Sequence, residues 1–92
     1  MRSELTIVVR HPVGLHARPA ALFVQAAKGY TSAIQVRNLT RGSNPVDAKS
    51  ILGVLTLGVT QDQEIQLVAD GDDSERALAD LKTLIEANFG EA

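Results

Sequence analysis

Apolar residues in this chain switch spacing from two to helical three times within 92 residues, returning to two between, which restricts it to a mixed fold. Glu4 to Arg10 alternates as a strand does. Leu5, Ile7 and Val9 share one face, Thr6, Val8 and Arg10 the other, and Val8 suggests partial cover of that second face. His11-Pro12-Val13-Gly14 breaks the pattern as a loop. From Ala17 to Lys28 the spacing is helical, with Ala20, Phe23, Val24 and Ala27 on one stripe. Gly29 is placed as its stop, and Pro19 lies in the first turn, where a missing N–H costs nothing.

Ala33 to Arg37 alternates again, with Ile34 and Val36 inward, and Thr40 to Pro45 reads as a turn into a short strand around Val46. Asp47 to Leu57 is expected as a short helix capped by Asp47 or Ser50. Gln63 to Asp70 is a strand with Ile65, Leu67 and Ala69 inward. The last helix has Asp72 and Asp73 as caps, Glu75 completing a box with Asp72, and Leu78, Leu81 and Ile85 on one face before Gly90 ends it. The order β-α-β-β-α-β-α, with mostly one-sided strands, predicts an α+β two-layer sandwich with helices on one sheet face and water on the other. Periodicity does not give the strand order.

One domain, residues 1–92, accommodates this. Without cysteine there is no disulfide, thiolate nucleophile or thiolate metal site, so packing alone holds the domain. A net charge of −2 and three scattered aromatics, Phe23, Tyr30 and Phe89, exclude a nucleic-acid surface. No leader pattern and no membrane-length apolar run stands out, so a cytoplasmic protein without membrane insertion is expected, and the sequon Asn38-Leu39-Thr40 is coincidental.

Chemistry concentrates in Gly14-Leu15-His16-Ala17-Arg18-Pro19-Ala20. His16 stands where loop becomes helix, and the amides that follow have no partner within the helix. With the positive end of the helix dipole they form an anion site beside the imidazole. Arg18 adds a permanent forked cation suited to phosphate oxygens. A ring nitrogen, an oxyanion cradle and an arginine are what transfer through a phosphohistidine requires. The same residues also occur as a solvated helix cap. No acid, metal cluster or cofactor motif accompanies them, so a group carrier fits better than a self-sufficient enzyme. His11 and His16 are too few for a metal site, and His11 is expected as a solvated loop residue.

That segment and Lys49-Ser50-Ile51-Leu52-Gly53-Val54-Leu55-Thr56-Leu57-Gly58 make the chain resemble the HPr family over nearly its whole length. HPr proteins are the histidine-containing phosphocarriers of the bacterial phosphoenolpyruvate-dependent sugar phosphotransferase system. The resemblance implies an open-faced β-sandwich, a four-stranded antiparallel sheet covered on one face by three helices. It implies that enzyme I phosphorylates His16 on Nδ1, that Arg18 helps hold and release the phosphoryl group, and that EIIA domains of sugar permeases accept it.

The second helix is too short to bury apolar residues on every side. Ile51, Leu52 and Leu55, with Ala21, Leu22 and Lys28 across a groove, are the residues the resemblance assigns to partner docking, although inward packing is equally compatible with the pattern. Ser50 matches the serine that an HPr kinase/phosphorylase modifies in some bacteria to engage carbon-control regulators, and it also suits a plain helix cap. A monomer is expected. A regulatory, nitrogen-type paralogue, an HPr domain of a multiphosphoryl fusion and a non-phosphorylated docking module are the alternatives.

The chain departs from the family in two places. Val13 replaces a small polar residue before the histidine, and the stretch from His16 to Ser50 is a few residues longer than usual. The extra length is expected in the Asn38 to Asn44 hairpin, on the surface and away from His16. Glu91 and Ala92 are within reach of Arg18 in sequence terms.

Overall fold

A computed structural model describes residues 1–90, so Glu91 and Ala92, and any contact of theirs with Arg18, lie outside the described residues. Its elements are β1 (Arg2–Val8), α1 (Ala17–Ala27), β2 (Ala33–Asn38), β3 (Val46–Asp47), α2 (Ile51–Thr56), β4 (Glu64–Asp70) and α3 (Ser74–Glu86), then a 3₁₀ turn at Asn88–Gly90. The strands pair antiparallel in the order β1-β4-β2-β3. Register follows from the alternation, because a slip of one residue would turn every apolar side chain to the wrong face. Leu5, Leu67 and Val36 form one inward row, and Ile7, Ile65 and Asn38 the next.

Three helices cover that inner face, and Phe23, Val54, Leu81 and Ile85 reach into one continuous core with Ile34, Val36, Ile65 and Leu67. Each large side chain buried there contributes about 1.5–3 kcal/mol relative to exposure. The outer sheet face carries Arg2, Glu4, Gln35, Arg37 and Gln66 toward solvent, with Arg37 Nε donating to Gln66 Oε1 at 2.8 Å. The α+β open sandwich is the fold that the pattern anticipates.

Element ends are where the structure corrects the sequence reading. Asp47 belongs to β3 rather than to a helix, because Val46 and Asp47 pair with Val36 and Gln35. The following helix starts only at Ile51, capped by Ser50, whose Oγ accepts the Gly53 N–H at 3.1 Å. Gly29 takes no left-handed conformation. The end of α1 tightens instead, with Gly29 N–H on Ala26 O and Tyr30 N–H on Ala27 O. At the other end of the chain, α3 stops at Glu86. Asn88 and Phe89 then adopt positive φ of 51° and 58°, reversing the backbone and burying Phe89.

Asp72 and Asp73 make no capping bond on α3. The Asp73 carboxylate reaches sideways to the loop before β2, accepting from the Thr31 and Ser32 amides at 2.9 and 3.0 Å and from the Ser32 hydroxyl. These bonds, the Ser32 hydroxyl first, lower its pKa from 3.8 to about 2. Beside it the Tyr30 hydroxyl donates to Asp80, and that bond with partial burial pushes its pKa up to about 12. Together they tie α3 to the chain between α1 and β2.

A carboxylate whose folded pKa is depressed adds stability above its unfolded pKa and loses it as pH falls through the folded value. Asp73 therefore contributes fully above pH 3.8, and the contribution disappears as pH falls through about 2. The stability gap between the original chain and Asp73→Asn, from urea melts at stepped pH, is expected to narrow across that window. A gap that is constant with pH contradicts the assignment.

Candidate functional site

After β1, Val9 stays buried and is clasped to the segment before β4, its N–H on Gln63 O at 2.9 Å and its carbonyl accepting from Asp62 N–H at 2.7 Å. The chain turns through His11 to Gly14, closed by Gly14 N–H on His11 O at 2.9 Å. Gly14 then passes against the backbone of Val59 and Thr60 with φ +63°. A Cβ there would lie 2.1 Å from the Val59 carbonyl oxygen and 2.7 Å from Thr60 Cα, so no other residue fits. One residue on, Leu15 donates its N–H to Val59 O at 3.1 Å and buries its side chain.

This anchoring delivers His16 to the N-cap of α1 with extended backbone and its side chain exposed. The imidazole makes no capping bond. Ala17 follows at φ +50°, a left-handed conformation costing an alanine on the order of 1 kcal/mol. Next come Arg18, exposed, and Pro19, buried and without an N–H. The amides of Ala17 and Arg18 meet no acceptor among the described residues, so the helix start offers two donors and its dipole next to His16, with the exposed Arg18 two residues along the chain.

His16 also borders a cavity of about 400 Å³ lined by Val13, Leu15, Arg41, Gly58 and Thr60 among others. Arg41 corrects the reading of the hairpin: it lines the same cavity as His16, so the loop from Asn38 to Asn44 is not wholly away from the histidine. His11 corrects another. Its ring is buried, meets Phe89 edge-on at 6.0 Å, and accepts the Val13 N–H on Nδ1 at 3.1 Å. Val13 itself is half exposed and brings no polar atom beyond its backbone.

The docking candidates divide. Ala21, Lys28 and Ile51 line one groove between α1 and α2 with Val24 and Gln25. Leu52 is the most exposed large apolar residue at 74%, whereas Leu22 and Leu55 are half-buried against the core. Of Ile51, Leu52, Val54 and Leu55 in α2, only Val54 is fully buried. Lys49, to which the sequence reading gave no role, donates from Nζ to Tyr30 O at 2.7 Å and ties the start of α2 to the end of α1. Among the described residues no helix is long and apolar enough to cross a membrane.

A family model described as the PTS HPr component phosphorylation site matches residues 3–87. The chain belongs to the HPr family. It is similar to the multiphosphoryl transfer protein of Haemophilus influenzae, 43% identical over 94% of this chain and 17% of that protein. It is also similar to the HPr-like protein Crh of Bacillus subtilis, 41% identical over 87% of this chain and 91% of Crh. Among solved structures, HPr-C-His from Thermoanaerobacter tengcongensis superposes with a TM-score of 0.92 at 48% identity, covering 98% of each chain. An HPr dimer from the same organism matches at 0.76 and 48%, over 97% and 99%. The chain spans 17–22% of the length of the multiphosphoryl transfer proteins that it resembles. Similarity to HPr structures agrees with the open-faced sandwich and with phosphocarrier work in the phosphotransferase system.

Gly14→Ala is expected to cost at least about 2 kcal/mol, because a left-handed penalty adds to overlap with the Val59 carbonyl. Ser50→Ala, which removes only the cap of α2, is expected to cost about 1 kcal/mol. Chemical denaturation of both variants measures the difference, and a Gly14→Ala chain as stable as the original contradicts the close passage.

Proposed function

We propose that this HPr-family chain carries a phosphoryl group on His16, received from enzyme I and passed to EIIA domains of sugar permeases. The observation that carries the reading is the exposed His16 imidazole at the start of α1, next to unpartnered amides and two residues before the exposed Arg18. The Nδ1 lone pair attacks phosphorus, and the bond from phosphorus to enzyme I breaks with its electron pair staying on enzyme I. Negative charge spread over the transferring oxygens is met by the Ala17 and Arg18 amides and by the Arg18 fork. Because the same cradle faces the group in both directions, it serves acceptance and release alike. Enzyme I and EIIA supply the rest of the chemistry, so this chain turns over no small molecule by itself.

Docking falls to the groove of Ala21, Lys28 and Ile51 with exposed Leu52, and Leu22 and Leu55 support it from below. Ser50 stands at the edge of that surface as the regulatory phosphosite, where a dianion is compatible with a helix start and repels an acidic partner. The expected carrier is a cytoplasmic monomer, and size-exclusion chromatography separates it from a dimer of the kind seen for a similar HPr. A second reading, an HPr domain within a longer multiphosphoryl transfer protein, is favoured by the Haemophilus relative. The size of the native protein on an immunoblot separates the two.

Incubation with labelled phosphoenolpyruvate and enzyme I is expected to give an acid-labile, base-stable phosphate on the original chain and none on His16→Ala. Equal labelling of both sinks the assignment of His16. Leu52→Asp, with the cradle untouched, is expected to raise the KM for enzyme I severalfold at similar kcat.

A further inference from the structure

We propose that Arg41 is a second phosphoryl-binding residue, closing over the His16 cavity from the hairpin and taking a phosphoryl oxygen that Arg18 leaves open. The inference rests on the carrier reading and adds a ligand to it. Arg41 and His16 line the same cavity, with Gly58 and Thr60 between the hairpin and the histidine loop. The guanidinium crosses Gly58: Nη1 donates to Gly58 O at 3.3 Å, and a Cβ on Gly58 would lie 2.6 Å from that nitrogen. Any other residue at position 58 would have to displace the side chain, and Gly58 also holds φ +59°.

The hairpin that presents Arg41 is strapped down. Asn38 is wholly buried, and its Nδ2 donates to Leu57 O at 3.1 Å and Gln63 Oε1 at 2.9 Å while its Oδ1 accepts the Arg41 N–H at 3.2 Å. Leu39 and Thr40 both donate to Glu64 O, and Thr40 Oγ1 accepts the Glu64 N–H at 2.8 Å. Gly42 N–H on Leu39 O closes the tip. The backbone of Arg41 is therefore fixed relative to β4 and to the segment before it, which also carries the His16 loop.

Charge completes the case. Arg41 forms no ion pair among the described residues, and one long bond to a neutral carbonyl leaves most of its five N–H donors unused. A phosphoryl oxygen on His16 would exchange that bond for a charge-assisted one. Val13, which lines the same cavity, offers no side-chain donor to compete with Arg41.

The test loads the protein with phosphoramidate, whose P–N bond breaks as the Nδ1–P bond forms, ammonia leaving with the electron pair. Phosphorus NMR then follows the phosphoryl group against pH in the original chain, Arg41→Gln and Arg41→Lys. Arg41→Gln is expected to move the titration midpoint up by about 0.3–0.7 pH units and to hasten phosphohistidine hydrolysis about two- to fivefold, the range for one partly exposed ion pair. Arg41→Lys should recover most of both. In the unmutated protein the Arg41 side-chain N–H resonances should shift on phosphorylation, a readout independent of how any variant folds. Resonances that stay put, or a glutamine variant with the original midpoint, overturn the role of Arg41 while the carrier reading stands. An original chain that takes no label from phosphoramidate or from enzyme I overturns both.

Discussion

The passage of Gly14 against Val59 and Thr60 is the constraint on which the site depends. Two backbone segments far apart in sequence touch with no side chain between them, and the Leu15 amide bond to Val59 O keeps them there. Both segments are held by the sheet: Val9 and Gln63 extend the pairing of β1 with β4 beyond the last registered residues. A shift in that pairing would move His16 relative to Gly58 and the hairpin. The His16 ring is exposed, yet its position is set by buried backbone. For the carrier role proposed for His16 such rigidity is an advantage, because an encounter with a partner does not have to order the loop first.

The helix start at His16 was legible because Pro12, Gly14 and the change of apolar period fall within a few residues, and each has a local cause. Strand faces were legible for the same reason. Strand order was not, since alternation names the face of a residue and says nothing of its neighbour across the sheet. Asp47 and Ser50 illustrate local ambiguity: both are good caps, and only pairing of Val46 and Asp47 with β2 assigns the first to a strand. Asp72 and Asp73 failed as caps because the Thr31 and Ser32 amides compete for the Asp73 carboxylate, a contact between elements that no local pattern encodes.

Arg41 and His11 show a longer-range limit. Arg41 reads as part of a surface hairpin and His11 as a solvated loop residue, whereas the structure places the first on the lining of the His16 cavity and buries the second against Phe89. The first did leave a trace in the sequence. Asn38 continues the phase of Ile34 and Val36, so a polar side chain occupies an inward position, and such a residue must find partners indoors. Phe89 left none, because two consecutive non-glycine residues at positive φ defeat any periodic pattern.

The short β3 carries a different consequence. An open sheet ends in unpaired N–H and C=O groups that invite a strand from another molecule. Here one margin offers two residues of strand, bounded by Pro45 on one side and by the turn into α2 on the other. The other margin, β1, holds Arg2 and Glu4 outward. A neighbouring molecule therefore finds almost no backbone to extend at the β3 margin, and the seven residues of β1 are the edge at which a further strand could add.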